Sequence, residues 1–134
     1  MKTFFLFLLI FLTVSCQIVE TLHLNSDGSG TIEVVSLRDE NSYLQIAGEN
    51  YYKEEVYKDT VSVFLDYIKK NHETFSRIAV ADQNLFLRYS DVKLHKKQNS
   101  FEKEFRTVYS QKFKKTLDIV DLYKTEEYID DFST

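Results

Sequence analysis

A chain of 134 residues that is 43% hydrophobic and 28% charged has the composition of one ordinary globular domain, which excludes a disordered or fibrous protein. A formal net charge of −4 and a sequence pI of about 5.4 make it a poor nucleic-acid binder. A lone cysteine, Cys16, excludes an internal disulfide.

Phe4 to Leu12 reads FFLFLLIFL behind Lys2. The run is shorter than the roughly 20 apolar residues a membrane-spanning helix needs, and it fits the hydrophobic region of a secretory signal. Thr13 and Ser15 are small residues three and one positions before Cys16, so a signal peptidase can cut between Ser15 and Cys16. The segment LTVSC resembles the lipobox of bacterial lipoproteins, with Leu12 one position further from the cysteine than the family pattern has it. The resemblance implies a removed signal peptide over 1–15, a diacylglycerol thioether on Cys16 and a single mature domain over 16–134. Two or three acyl chains, at about 0.8 kcal/mol per buried CH₂, hold a protein stably on a bilayer where one holds it only marginally. Gln17, with no Asp in its place, implies the outer membrane facing the periplasm. The competing reading is a plain secretory signal that leaves Cys16 as a free thiol or an intermolecular disulfide partner.

Ile18, Glu20, Leu22 and Leu24 alternate with Val19, Thr21 and His23, a period of two that predicts a strand. Asp27-Gly28 predicts a hairpin turn, and Thr31 to Leu37 the return strand. Such an opening is similar to that of many small envelope lipoproteins, which implies no activity. Arg38 to Ser42 reads as a loop and Tyr43 to Ala47 as a short extra strand or a segment lying over the core. Asn50 is the expected cap of a helix with Glu54 and Glu55 in its first turn and Val56, Tyr57, Val61, Phe64, Leu65, Ile68, His72 and Phe75 at helical spacing.

Asn84 to Leu94 alternates as a strand with a slip near Ser90-Asp91, and His95 to Ser100 reads as a polar connection. Phe101, Lys103, Phe105, Thr107, Tyr109, Gln111 and Phe113 then share one face of a long strand. Leu117, Ile119, Val120, Leu122, Tyr123 and Ile129 predict a closing helix. The expected fold is an α+β two-layer sandwich, its sheet made of two antiparallel hairpins and covered by two helices in the order ββαββα.

No catalytic constellation follows from the pattern. Placing Gly28 at the sixth position of a calcium loop puts His23 first and Val34 twelfth, and placing Gly30 there puts Ser36 twelfth, so neither frame supplies the closing Glu. His23, His72 and His95 have no second His or Cys at ligand spacing, and no metal or cofactor is expected. His72 and Glu73 are adjacent on a helix and do not face each other.

Charge is unevenly spread. Between Val92 and Lys115, eight basic residues stand against two acids, while Thr116 to Thr134 carries a balance of −5. Lys93, Lys96, Lys97, Lys112, Lys114 and Lys115 are the candidate contacts for an anionic partner, either anionic lipid or an acidic envelope protein. Their other reading is a solvated sheet edge whose lysines discourage edge pairing. The expected function is a noncatalytic binding or accessory module of the cell envelope, held by lipid on Cys16. The alternative is an immunity-type or inhibitor lipoprotein that neutralises a secreted toxin or hydrolase.

Overall fold

The computed structural model describes residues 17–131. The expected signal peptide over 1–15 and Cys16 lie outside the described residues. Among those described, strands β1 (Gln17–Leu24), β2 (Gly30–Leu37), β3 (Tyr57–Val63), β4 (Lys93–Asn99) and β5 (Glu104–Phe113) form one open antiparallel sheet in the order β1-β2-β5-β4-β3.

The α+β class holds, but the element order and helix count differ from the sequence expectation. The described chain carries six α-helices: α1 (Glu40–Ala47), α2 (Asn50–Lys53), α3 (Phe64–Lys70), α4 (His72–Arg77), α5 (Val80–Leu87) and α6 (Thr125–Asp131). It also carries single 3-10 turns at Thr116–Asp118 and Leu122–Lys124.

The first hairpin forms as its sequence predicts. Asp27 accepts hydrogen bonds from the Ser29 amide at 3.0 Å and its hydroxyl at 2.6 Å, and Gly28 takes a φ of +83°. Gly30 is required for a different reason. A Cβ there would lie 2.1 Å from the His23 carbonyl oxygen and 2.6 Å from the Phe113 ring, so β1, β2 and β5 can crowd together only over a bare Cα.

Five segments depart from the sequence reading, each for a local reason. The closing helix expected over Leu117 to Ile129 is broken into two 3-10 turns and α6, the second turn started by Asp121 accepting from the Tyr123 amide at 3.0 Å, and Leu117 and Tyr123 are exposed. Residues 38–47 are neither loop nor strand, because Asp39 caps α1 by accepting from the Asn41 amide at 3.0 Å and the Ser42 hydroxyl at 2.7 Å. The long helix expected from Asn50 is cut into α2, β3, α3 and α4. Tyr57 and Val61, which fitted the helical spacing, instead lie exposed on the edge strand β3, whose Thr60, Val61 and Val63 are β-branched. Of the strand expected over Asn84 to Leu94, residues 84–87 belong to helix α5, which buries Phe86 on the face that alternation set opposite Leu85 and Leu87, and only Lys93 and Leu94 are strand, at the start of β4. The polar stretch at His95 is β4 itself, the partner of β5 in the second hairpin.

β5 keeps the predicted alternation only from Glu104, because Phe101, expected on the buried face, is 83% exposed and Lys103 lies in the β4–β5 turn with a φ of +52°. Tyr109, Gln111 and Phe113 are buried on one face, paired through Val34↔Tyr109, Ile32↔Gln111 and Leu94↔Tyr109. Against this face pack Phe64 and Ile68 of α3, Phe86 of α5, Tyr89, Val92, Val120, Leu122 and Ile129 of α6. Phe64, Val92 and Leu122 are essentially inaccessible, and each such burial contributes about 1.5–3 kcal/mol. Tyr128 stacks edge-on against both Phe86 and Tyr89 with centroids 5.1 Å apart. Strand alternation sends Glu33, Lys93, His95, Lys97, Arg106 and Lys112 to the opposite, helix-free face.

Helices α1 and α2 contribute no buried residue and are held to the sheet by Arg38. Its guanidinium lies 3.3 Å from the Phe105 ring centroid and 3.8 Å from that of Tyr43, and it donates to both oxygens of Glu40 and of Glu54 at 2.7–3.1 Å. Burial opposes the arginine charge, but the hydrogen bonds to Glu40 and Glu54 outweigh it and raise its pKa. The same bonds from Arg38 hold the Glu54 carboxyl below the usual carboxylate range.

A depressed carboxylate binds fewer protons folded than unfolded, so its stabilisation is complete above the unfolded pKa of about 4.3 and is lost as pH falls through the folded value. Arg38→Met is expected to cost about 2 kcal/mol at pH 7 and to make the decline in stability below about pH 4.5 shallower than in the parent. Urea midpoints at pH 7 and pH 3.5 for both proteins measure the two effects.

Candidate functional site

The end of β5 is built to leave a cleft. Alternation turns Gln111 and Phe113 inward, at 3% and 5% exposure, and Lys112 outward. Where the chain enters β4, Val92 is buried while Asp91 and Lys93 on either side of it are exposed. Between these elements lies a cleft of about 490 Å³ lined by Arg88, Asp91, Gln111, Lys112, Lys114 and Asp118, among others. A smaller recess of about 210 Å³ on the helix-free face is lined by Thr31, Asp91, Lys93, Ser110 and Lys112. Asp91 and Lys112 belong to both and form the ridge between them.

Gln111 fixes this geometry. Its Nε2 donates to the Asp118 carbonyl at 3.2 Å and to Asp91 Oδ1 at 3.4 Å, and its Oε1 accepts from the Val120 amide at 3.1 Å. One buried side chain therefore ties β5 to the turn before β4 and to the first 3-10 turn. A polar residue between Tyr109 and Phe113 on an otherwise apolar face is the local signal for it, and the sequence pattern included Gln111 without giving it a role.

The structure divides the basic residues singled out from sequence. Lys97 is bound by Glu104 and lies 3.7 Å from Glu102, and Lys96 lies 3.8 Å from Glu126 of α6. The hydrogen bond from Lys97 holds the Glu104 carboxyl below its usual range, and in return Lys97 is shifted up. These two lysines have carboxylate neighbours, close for Lys97 and loose and exposed for Lys96. Arg106 is 3.2 Å from Glu104, and Lys103 donates to the Tyr51 carbonyl and sits 4.0 Å over its ring.

By contrast, among the described residues Lys93, Lys112, Lys114 and Lys115 lie within ion-pair distance of no carboxylate. Lys93, Lys112 and Lys114 surround the two clefts, and Arg88, also without an ion pair, joins them. Charge counting along the chain could not find Arg88, which lies on the far side of the turn that precedes β4. Lys93 pairs with Ser110 across the sheet, so Lys112 is its diagonal neighbour on the same face. Four cations facing two carboxylates make a surface suited to phosphate or carboxylate groups of a partner.

The three histidines are not brought together. His23 is in β1, His72 opens α4, and His95 of β4 lies with Nε2 2.7 Å from Asp59 Oδ1 on β3. Among the described residues no group of three or more His, Cys, Asp or Glu could hold a metal ion, and no helix is long and apolar enough to cross a membrane. No family model, curated protein or solved structure matches the chain.

Replacing Gln111 by Leu keeps the volume but leaves the Val120 amide without its acceptor. The substitution is expected to destabilise the protein by about 1–3 kcal/mol, read as a lowered urea midpoint.

Proposed function

We propose that the protein is a lipid-anchored envelope module that acts by contact, without catalysis, engaging the phosphate groups of anionic lipids through Arg88, Lys93, Lys112 and Lys114. The observation that carries this reading is the clustering of these four cations, none in an ion pair among the described residues, around two adjoining clefts. Lys93 and Lys112 stand on the helix-free face of the sheet. That face also exposes Val19, Val61 and Tyr57, apolar and aromatic groups of the kind that settle at a bilayer interface.

The first strand supports the anchor. β1 begins at Gln17, immediately after Cys16, so acyl chains on that cysteine would hold the sheet against the bilayer with almost no tether. The two elements contribute different things. A cluster of a few lysines gives roughly 1 kcal/mol per residue near a negative surface and weakens with salt, whereas the acyl chains supply affinity without orientation.

Two measurements test the reading. Intact mass of the natively expressed chain should exceed that of residues 16–134 by a diacylglycerol and, where the amino terminus is acylated, one further acyl group, and the protein should fractionate with membranes. A mass equal to the bare polypeptide contradicts it. Separately, Lys93→Glu, Lys112→Glu and Lys114→Glu together should lower low-salt binding to vesicles containing anionic phospholipid by at least tenfold, with little effect on neutral vesicles. Unchanged binding to anionic vesicles removes the basic cleft from the account.

A further inference from the structure

The edge strand β1 is unprotected. Its sequence, QIVETLHL, has no Lys, Arg or Pro, pairs with β2 without a bulge over all eight residues, and carries Glu20 as its single carboxylate. Ile18, Leu22 and Leu24 on one face and Val19 on the other are 51–58% exposed, although three of them continue the same face of the sheet that buries Ile32 and Val34. The opposite edge differs. β3 carries Lys58 and Asp59, the charged residues by which edge strands resist pairing.

We propose that β1 pairs antiparallel with β1 of a second copy of this chain, joining the two sheets edge to edge. The strand is its own complement in one register. With Thr21 opposite Thr21, Ile18 faces Leu24 of the second copy, Val19 faces His23 and Glu20 faces Leu22, so no like charges meet. A register centred on Glu20 opposes two carboxylates, and one centred on Leu22 leaves Gln17 unpaired and sets Ile18 and Val19 against the polar turn residues Ser26 and Asn25. In the Thr21 register the exposed Ile18, Leu22 and Leu24 of both copies share one face, where each Glu20, held by the Tyr123 hydroxyl at 3.0 Å, lies opposite Leu22 of the other copy, and the unpaired backbone groups of both edges are satisfied.

The two-fold axis of such a pair is normal to the sheet. Both helix-free faces therefore lie on the same side, where two anchors and two sets of Lys93 and Lys112 would meet one bilayer. The pairing itself rests on the strand edge and not on the lipid reading, and its test is independent of vesicle binding.

The full chain with Thr21→Cys should form a disulfide-linked dimer on mild oxidation, because opposed residues in an antiparallel pair lie about 4.5–5.5 Å apart at Cα, within disulfide range. Val19→Cys alone should not cross-link, and Val19→Cys with His23→Cys should. The parent chain is the control for any contribution of Cys16. Leu22→Lys, at a position already half exposed in the single copy, should weaken association at least tenfold by light scattering or sedimentation. A single-copy mass for the parent, equal cross-linking at Thr21 and Val19, or association unmoved by Leu22→Lys overturns the proposal.

Discussion

The pairing of β2 with β5 is the constraint on which the rest of the molecule depends. These strands are far apart in the chain, and their ladder joins the N-terminal hairpin to the hairpin of β4 and β5 in one sheet. It also sets Val34 against Tyr109 and Ile32 against Gln111, which makes the buried face that α3, α5 and α6 cover. Tyr109 shows how tightly this centre is held. Burial together with a hydrogen bond to Glu126 of α6 at 2.9 Å pushes its phenol upward, so the strand and the final helix are tied by a group that stays protonated. Without this ladder the first hairpin would be an isolated two-stranded ribbon, which has little stability in water.

Where this centre extends, the chain spends its side chains on packing, and where it stops, on contact. Gln111 marks the border: it is buried in the row of Tyr109 and Phe113, yet its three side-chain hydrogen bonds go to the segments that frame the basic cleft. Lys112 on β5 and Lys114 just after it have no carboxylate within ion-pair distance among the described residues, whereas Lys97, nearer the β4–β5 turn, lies against Glu102 and Glu104. A basic run that looks uniform along the chain is thus half structural and half available.

What could be read from the sequence follows the same division. β2 and β5 were legible because their alternation follows a buried face, and β1 because its own period of two meets β2 across the Asp27-Gly28 turn, although its side chains stay exposed. The short helix α1 was not, because it buries nothing and is held by Arg38 through Glu40, Glu54 and two rings, partners separated in sequence. β3 was hidden because an edge strand exposes the very residues, Tyr57 and Val61, that imitate a helical stripe. Of the candidate site, local charge density revealed Lys93, Lys112 and Lys114. Arg88 and the role of Gln111 depend on which turns fold against the end of β5, and the neutralisation of Lys96 depends on Glu126 of the last helix.

The dependence on the central ladder is tested most directly by residue-resolved hydrogen exchange on the native protein. The account predicts that ladder amides of Ile32 to Val35 and Val108 to Gln111 exchange most slowly, at rates set by global unfolding, while those of α1, α2 and the free edge of β3 exchange faster by orders of magnitude. Equal protection in α1 and in β5, or faster exchange in β2 than in β3, would contradict it.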